Sequence, residues 1–487
     1  MELSQIFLLI LSLVLFVYLC ICKLSLRDKS LVAISKFAFK NPRLPPGRTG
    51  WPLVGETLEY FSKIQQGVLE KFVTERRNKY SSKIFRTSLI GYPMAILCDA
   101  EGNKFLFSNE NKFVKHWWPS TIDKLFPKSN NKPNTEHTKA LHKLLTFILK
   151  KDVLRAYVGV MDAIMKQHLQ IYAECKLVKI GDMAKTYIFK LACITFLGID
   201  NQGKIDELEK GIEEIATGLH SMPLNFPGTA LNRAIKTSKL MREEFESMIR
   251  QRKIDLSVHS SSSAKDFVSH MLLATDDGGQ FYSEADIACI LVGLLQGSYT
   301  TVHNTITNIM MYLTEFPDVY NSVLREQKEI ADLKEPNNIL CWDDLKKMKY
   351  SWQVACEVLR LKPPVHGAFK EAITDFNYAG YTIPKGWKIH WIAHATHKNP
   401  EYFPDPDKFD PSRFQGDGPA SYTFVPFGGG AHMCPGTEYA RLAILIFLHN
   451  VVNKYRWEKQ IPDEKVLHYP YTRPAHGLPV HLYPHKP

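Results

Sequence analysis

The sequence lacks paired cysteines. Its nine cysteines are scattered over 487 residues and form no C-x-x-C pair: Cys20, Cys22, Cys98, Cys175, Cys193, Cys289, Cys341, Cys356 and Cys434. A structural zinc site needs four ligands and an iron–sulfur cluster usually takes four cysteines, so neither centre is indicated. A disulfide framework is equally unsupported, which favours a protein of a reducing compartment.

Long basic runs and internal repeats are absent as well. The net charge is +11, yet no basic run exceeds a few residues and no nucleic-acid recognition motif occurs. We therefore predict no binding to nucleic acid. Two interpretations of the excess charge remain. Either a basic surface faces a membrane or steers an acidic redox partner, or basic residues are spread evenly over the exterior.

An uncharged, apolar segment opens the chain. Ile6–Cys22 spans about 17 residues, the lower limit for a membrane-spanning helix. A cleaved signal peptide is the rival interpretation, but Glu2 stands where basic residues are expected and no A-x-A-like cleavage site follows. The basic flank of Lys23, Arg27 and Lys29 predicts that the rest of the chain is cytosolic. We predict a retained, single-pass anchor in the endoplasmic reticulum membrane.

The chain is predicted to have three parts. A membrane anchor with its basic flank takes residues 1–29, a proline-rich hinge takes 30–50, and a globular body takes 51–487. The hinge ends in N-P-R-L-P-P-G-R-T-G, Asn41–Gly50. Because prolines fix φ and remove hydrogen-bond donors, this segment predicts a stiff, extended spacer between membrane and body.

The body is predicted to be mainly α with minor β. Its longest helix is expected at Ser283–Phe316, where Ser283 and Asp286 form a capping-box-like start and Pro317 supplies the stop. A second helix is predicted at Trp342–Arg360. Strands are predicted at Lys83–Leu97 and Phe376–His390, and a flexible loop is predicted at Ile254–Asp266.

One cysteine lies in a glycine-rich loop that runs into an apolar helical stretch. The loop is Phe424–Gly436, F-V-P-F-G-G-G-A-H-M-C-P-G, and the predicted helix is Thr437–Val452. A lone thiolate, that of Cys434, suits a metal whose other ligands come from elsewhere, as in haem, where the porphyrin supplies four. Three consecutive glycines let the backbone approach a flat macrocycle. The helix start and neighbouring N–H groups are expected to hold the sulfur as thiolate.

The spacing within this loop supports a haem site. Phe427, Gly430, Cys434 and Gly436 form an F-x-x-G-x-x-x-C-x-G pattern. A buried structural cysteine beside a turn is the alternative, and it would be preferred for an isolated C-x-G. The full pattern predicts that Cys434 is the axial ligand of a haem iron.

A charged pair is expected inside the second helix. Glu357 and Arg360 form E-x-x-R, and a spacing of three places them on one helix face. Apolar residues surround them in sequence, so the pair is predicted to be buried and to need a further partner. Arg413, in F-D-P-S-R-F, is the candidate third member of a structural ion network beneath the haem.

Together these features resemble a membrane-bound cytochrome P-450, over essentially the whole chain. Several stretches are similar to the plant family that oxidises triterpenes and includes β-amyrin 28-oxidases: Leu44–Glu59, Gly102–Lys112, Trp117–Pro119, Phe226–Thr229, Trp342–Trp352 and Phe424–Gly430. The resemblance implies a single large cytochrome P-450 fold that binds haem b through the Cys434 thiolate.

The resemblance also implies an activity. A large apolar terpenoid, such as a triterpene of the β-amyrin type, would be hydroxylated or oxidised with O2. NADPH would supply the electrons through an NADPH-cytochrome P-450 reductase. Two other activities stay open, a haem-thiolate isomerase or dehydratase and a weakly active haem-binding homologue.

The central helix departs from the family pattern. The family usually carries an acid followed by a threonine, whereas this chain reads G-S-Y-T-T from Gly297. The resemblance makes Thr301 and Thr300 the candidate catalytic residues: Thr301 takes the threonine position and Thr300 stands where the acid is expected. Ser298 replaces a glycine, and Gln296 brings an amide into an apolar stretch. Two interpretations stay open. Water molecules held by these hydroxyls deliver protons well enough, or proton delivery is poor and a smaller share of the NADPH consumed leads to product.

Basic side chains are expected near the haem propionates. The resemblance implies arginine at two positions that here hold His432 and Lys370, and both replacements keep a donor but lose the guanidinium fork. Gly297 is the candidate haem contact from the central helix. The candidate substrate contacts are mostly apolar: Trp117, Trp118, Met222–Phe226, Leu294–Thr301 and Val365–Ala368.

Overall fold

The computed structural model describes residues 43–52, 54–127, 142–258, 267–275, 279–335 and 338–485. The predicted anchor, Ile6–Cys22, and its basic flank lie outside the described residues. The prediction of a body that is mainly α with minor β is confirmed by the elements that follow.

Helices make up most of the described chain. In order they are α1 Thr57–Gln65, α2 Leu69–Tyr80, α3 Ala100–Ser108, α4 Ser120–Leu125, α5 142–148, α6 Lys151–Arg155, α7 Val158–Gln170, α8 Ile180–Ala192, α9 Gln202–Leu219, α10 Ala230–Val258, α11 Phe267–Leu273, α12 Glu284–Glu315, α13 Pro317–Asp332, α14 Trp342–Lys347, α15 Lys349–Leu361, α16 Ala393–His397 and α17 Thr437–Lys454.

Short strands form four small sheets among the described residues. They are β1 Ile84–Leu89, β2 Tyr92–Leu97, β3 Val114–Trp117, β4 Leu177–Lys179, β5 Gly367–Ala372, β6 Phe376–Tyr378, β7 Tyr381–Ile383, β8 Lys388–Ile392, β9 Tyr455–Lys459, β10 Val466–Leu467, β11 Arg473–Pro474 and β12 Pro479–Pro484. The largest sheet has the order β1-β2-β8-β5-β3, and the others are β4-β12-β9, β10-β11 and β6-β7.

Helix α12 runs through the middle of the fold. The Ser283 side chain accepts a hydrogen bond from the Asp286 N–H and fixes the helix start, as predicted, and Pro317 begins the next helix. Helix α12 packs against α8, α10, α15 and α17. Among the described helices it is the one long and apolar enough to cross a membrane, but most of it is buried inside the protein. Its apolar character is therefore that of a core helix.

The helix predicted at Trp342–Arg360 is two helices, and the prediction of one is wrong. The chain leaves the helical conformation at Met348, which has φ −75° and ψ 56°. The carboxylate of Glu326, on α13, accepts hydrogen bonds from the N–H groups of Tyr350 and Ser351 at 2.6 and 2.9 Å. A side chain from a neighbouring helix thus caps a new helix start, which no local pattern reveals.

The loop predicted at Ile254–Asp266 begins later than expected. Residues 254–258 are helical, because α10 continues to Val258. The remainder of that predicted loop lies outside the described residues.

The described end of the predicted hinge is bound to the body. The Arg86 N–H, in β1, donates to the Pro46 carbonyl at 2.8 Å, and the Thr382 N–H, in β7, donates to the Arg43 carbonyl at 2.8 Å. Residues 43–50 are therefore fastened to two sheets and do not stand free as a spacer. The division of the chain at residues 29 and 50 stays a prediction.

Candidate active site

The cysteine loop is folded by its own backbone immediately before α17. The Cys434 N–H donates to the Phe427 carbonyl at 2.9 Å, and the Thr437 hydroxyl donates to the Cys434 carbonyl at 2.8 Å. A Cβ on Gly436 would lie 3.7 Å from the Cys434 sulfur. The predicted loop residues thus belong to one tight turn, with the sulfur next to the helix start.

Two glycines of this loop lie against α3. Gly430 has φ +72°, and a Cβ there would stand 2.4 Å from the Phe107 carbonyl oxygen. A Cβ on Gly429 would stand 2.4 Å from the Phe107 ring. The approach of α3 therefore requires glycine at these positions, in addition to the predicted approach of a macrocycle.

Replacing Gly430 with alanine is expected to destabilise the protein and lower its haem content. The left-handed conformation alone costs about 1–2 kcal/mol for an alanine, and the clash with backbone adds to that cost. Gly418 is the matched control, because it has φ +68° but a Cβ there meets nothing within 4 Å. Thermal unfolding and the haem-to-protein ratio check both variants. Equal losses for Gly430→Ala and Gly418→Ala would show that contact with α3 is unimportant.

The environment of the Cys434 sulfur does not by itself favour the thiolate. The residue is exposed, yet the chain packed around the loop desolvates the thiol and raises its pKa. A hydrogen bond from the Gly436 N–H lowers the pKa by less. The expectation that N–H groups hold the sulfur as thiolate stays a prediction, and the Gly436 N–H acts in that direction. A metal cation deprotonates a coordinating thiol, so the loop fits a metal that itself stabilises the thiolate.

One face of α12 is open although most of the helix is buried. A Cβ on Gly293 or Gly297 would meet nothing within 4 Å, and Gly297 is exposed between the buried Leu295 and Tyr299. The Thr301 hydroxyl is on this face and donates to the Gly297 carbonyl at 2.7 Å. We call Gly293, Gly297 and Thr301 the open stripe. Its two glycines leave room for a flat ligand against the helix.

The second threonine is in a different environment. Thr300 is only 8% exposed, and its hydroxyl makes no hydrogen bond of normal geometry among the described residues. It lies beside the Tyr471 hydroxyl; burial raises the pKa of Tyr471 to about 12, and the contact with Thr300 acts in the opposite direction. Thr301 therefore bonds within its own helix, whereas Thr300 faces Tyr471.

Lys370 and His432 meet at a carboxylate that sequence reasoning missed. Lys370 Nζ is paired with Glu110, and His432 Nδ1 lies 2.9 Å from Glu110 Oε1. Burial opposes ionisation of Glu110, but His432 and Lys370 outweigh it and hold the pKa of the carboxyl at about 2. Burial also lowers the pKa of Lys370, against the effect of Glu110. Glu110 is remote from both in sequence, so no local pattern could have paired them.

Two further histidines surround this cluster. The rings of His116 and His432 stack with centroids 5.6 Å apart, and the His142 ring is 5.2 Å from that of His432. Burial lowers the pKa of His116 to about 3 and lowers that of His142 as well. The donors present fit the carboxylates of a haem, but Glu110 already offsets the charge of Lys370. Both replacements predicted from the sequence thus lie at one polar end of the site.

The ion pair predicted on α15 is fully buried. Arg360 Nε and Nη2 each donate to Glu357 at 2.7 Å, and both side chains have no exposed surface. Arg413 Nε lies 3.5 Å from Glu357 Oε1, as the third member of the network. Arg360 also donates to the carbonyls of His397 and Pro406 at 2.8 and 2.7 Å.

The same network reaches the cysteine loop through one histidine. The Val425 N–H, at the start of that loop, donates to His397 Nε2 at 2.9 Å. Because Arg360 holds the carbonyl of His397, the buried pair and the loop are two hydrogen bonds apart. The residues E-x-x-R, Arg413 and the loop therefore form one connected support.

Comparison with known proteins agrees with this arrangement. A family described as cytochrome P450 matches residues 45–475. The chain is 49% identical to a β-amyrin 28-monooxygenase of Vitis vinifera, over 96% of this chain and 98% of that protein. It is 49% identical to a β-amyrin 16-beta-monooxygenase of Platycodon grandiflorus, over 94% and 96%.

A solved structure shares the fold as well. The retinoic acid-bound cyanobacterial CYP120A1 superposes with a TM-score of 0.80 at 30% identity, over 91% of this chain and all of that chain. The match covers 91% of this chain. The cysteine loop, the buried E-x-x-R pair and the open central helix all belong to the body of this fold. This chain belongs to the cytochrome P450 family.

Proposed function

We propose that this chain is a membrane-bound haem-thiolate monooxygenase that hydroxylates or oxidises a large apolar terpenoid, such as a triterpene of the β-amyrin type. The observation that carries the substrate class is the set of relatives named β-amyrin monooxygenases, which are 48–50% identical over more than nine-tenths of this chain. The mostly apolar candidate contacts are compatible with such a skeleton.

The residues of the site have separate roles toward haem b. Cys434 would ligate the iron, while Phe427, Gly430 and Gly436 shape the loop that presents the sulfur. When bound, the haem supplies O2 activation and insertion of oxygen into a C–H bond, with NADPH electrons delivered by a reductase. Its carboxylates would be held at the polar end of the site by donors from Lys370 and His432.

The central helix would line the side of the haem where O2 binds. Gly297 leaves room for the macrocycle, since a Cβ there meets no atom within 4 Å. The Thr301 hydroxyl donates a hydrogen bond to the Gly297 carbonyl. Its oxygen can therefore accept a hydrogen bond from a water molecule near the bound O2. Thr300 offers a hydroxyl that does not titrate near neutral pH.

Placing an acid at position 300 is expected to raise the amount of product per NADPH consumed. The position is buried, so the pKa of an introduced carboxyl would be raised toward that of a useful proton donor. Thr300→Asp is compared with the isosteric Thr300→Val, which adds no acid. Product and NADPH are measured in the same reaction with reductase. An unchanged or lower ratio in Thr300→Asp would contradict a shortage of protons at this site.

The partners follow from charge and from the N-terminal segment. A net charge of +11 would favour association with an acidic surface of NADPH-cytochrome P-450 reductase. The apolar Ile6–Cys22 and its basic flank support a single-pass anchor in the endoplasmic reticulum membrane, with the catalytic body in the cytosol.

The proposed function is tested by co-expression with a plant reductase in yeast strains that make different triterpene skeletons. We expect oxygen-containing products by mass spectrometry, and we expect turnover in membranes to require both NADPH and O2. Turnover without NADPH or O2 would favour an isomerase or dehydratase. No oxidised product from any skeleton would overturn the proposal.

A further inference from the structure

Two polar side chains of α12 are buried and poorly satisfied by the described residues. Gln296 is 7% exposed and Thr300 is 8% exposed. Neither amide atom of Gln296 has a partner among the described residues, and the Thr300 hydroxyl makes no hydrogen bond of normal geometry there, its one polar neighbour being the Tyr471 hydroxyl. An unsatisfied buried polar group costs about 1–3 kcal/mol. Two adjacent cases on the central helix of an enzyme therefore require a physical reason.

Other polar side chains in the same turn are satisfied. The Tyr299 hydroxyl donates to Glu209 at 2.9 Å, and the Thr301 hydroxyl donates to the Gly297 carbonyl at 2.7 Å. The Ser298 hydroxyl has a weaker contact with its own helix backbone, at 3.4 Å. Most polar groups of this helix thus have partners among the described residues, and the exceptions are Gln296, Thr300, and single atoms of His303 and Asn308.

The two side chains border the open stripe. Residues of an α-helix are about 100° apart, so Gln296 and Thr300 share one face, and Thr300 lies about 20° and Gln296 about 60° from the direction of Gly293. A Cβ on Gly293 would meet nothing within 4 Å. Thr300 also adjoins Tyr471. A ligand on the open stripe therefore has close access to an amide and a hydroxyl.

We propose that Gln296 and Thr300 bind an oxygen substituent of the substrate, and that the substrate is a terpenoid already oxygenated near the carbon to be oxidised. This inference rests on the proposed function. An amide and a hydroxyl can each donate and accept, so an alcohol, aldehyde or carboxyl group satisfies both. A wholly apolar skeleton at this position would leave them unsatisfied.

The positions of Gln296 and Thr300 on the helix indicate where the oxygen substituent lies relative to the oxidised carbon. They also indicate which class of reaction must supply the substrate. Along the helix axis Thr300 lies about 1.5 Å from Thr301, and Gln296 lies about 7.5 Å from it. An oxygen bound between these two side chains is therefore within several carbon–carbon bonds of the oxidised position. The substrate must then be supplied by an earlier hydroxylation of the same skeleton, and this enzyme performs a later oxidation.

The test compares ligands that differ by one hydroxyl. Purified, haem-loaded protein is titrated with β-amyrin and with its derivatives hydroxylated at carbon 28 or carbon 16, the positions named in the relatives, and the haem spin-state absorption change is followed. We expect at least one hydroxylated triterpene to bind about tenfold more tightly than β-amyrin. Gln296→Leu is expected to remove that preference, so that the ratio of the dissociation constants for β-amyrin and that hydroxylated triterpene falls to about one.

Two controls separate binding from structure. Thr307→Val removes a hydroxyl on the same helix that already donates to the His303 carbonyl at 2.8 Å, and it should keep the preference. Ligand-free Gln296→Leu should unfold at the same temperature as the parent protein or higher, because the lost amide had no partner. A lower unfolding temperature would assign the amide a structural partner and overturn the inference.

The remaining outcomes are distinct. Equal affinities for all three triterpenes, or a preference that survives Gln296→Leu, overturn this inference while the proposed function stands. If no triterpene changes the spectrum or is oxidised with reductase, the proposed function fails and the inference falls with it.

Discussion

Replacing Cys434 with serine is expected to abolish monooxygenase activity while leaving a folded protein. A serine hydroxyl ionises far less readily than a thiol bound to iron, so the electron-rich axial ligand that favours O–O cleavage is lost. The loop itself should persist, because its hydrogen bonds involve the backbone of residue 434 and not its side chain. The absorption spectrum of the ferrous–CO complex distinguishes thiolate from other ligands, and product is measured with NADPH and reductase.

Cys175→Ser is the matched control for this variant. Cys175 is an exposed cysteine outside the site, so its replacement should change neither the spectrum nor the turnover. Thiolate-type absorption in Cys434→Ser would show that another residue ligates the iron. Retained turnover without that absorption would place the chemistry outside a haem-thiolate mechanism.

Replacing Arg360 with methionine is expected to lower the free energy of unfolding by about 3–5 kcal/mol. The substitution leaves the carboxylate of Glu357 buried and without its fork of two 2.7 Å hydrogen bonds. It also removes the hydrogen bonds that Arg360 donates to the carbonyls of His397 and Pro406. These bonds join α15 to the segment that precedes the cysteine loop in the chain. Denaturant unfolding measures the loss, and the haem-to-protein ratio should fall with it.

A surface pair with the same spacing provides the control. Asp343 and Lys346 are three residues apart on α14, 3.0 Å from each other and both more than half exposed. Lys346→Met is expected to leave stability unchanged within error, because exposed pairs contribute little. The double variant Glu357→Leu/Arg360→Met should recover part of the loss, since no unpaired charge remains. A small effect of Arg360→Met would mean that the network is not a support of the fold.

Local patterns predicted much of this protein correctly. Ser283 and Pro317 marked the ends of α12, because capping and the loss of a backbone donor act within one helical turn. The spacing of Glu357 and Arg360 predicted their contact for the same reason. The prediction failed at Met348, where Glu326 from another helix starts α15.

The candidate site divides in a similar way. The sequence singled out Lys370, His432 and Thr300 as departures from the family pattern, but it did not reveal what each contacts. Glu110 contacts both Lys370 and His432, and it is 260 residues from Lys370 in the chain. Tyr471 adjoins Thr300. Such pairings depend on which elements the fold brings together.

The sequence by itself determined the chemistry of the centre and the class of fold. A lone cysteine in a glycine-rich loop, an E-x-x-R pair and long apolar helices are local properties, set by residue type and helical period. Only the tertiary structure decided that α3 requires Gly430, that desolvation raises the pKa of the Cys434 thiol, and that the Gln296 amide has no partner among the described residues. These are properties of packing, because desolvation and hydrogen-bond satisfaction depend on neighbours that are distant in the chain.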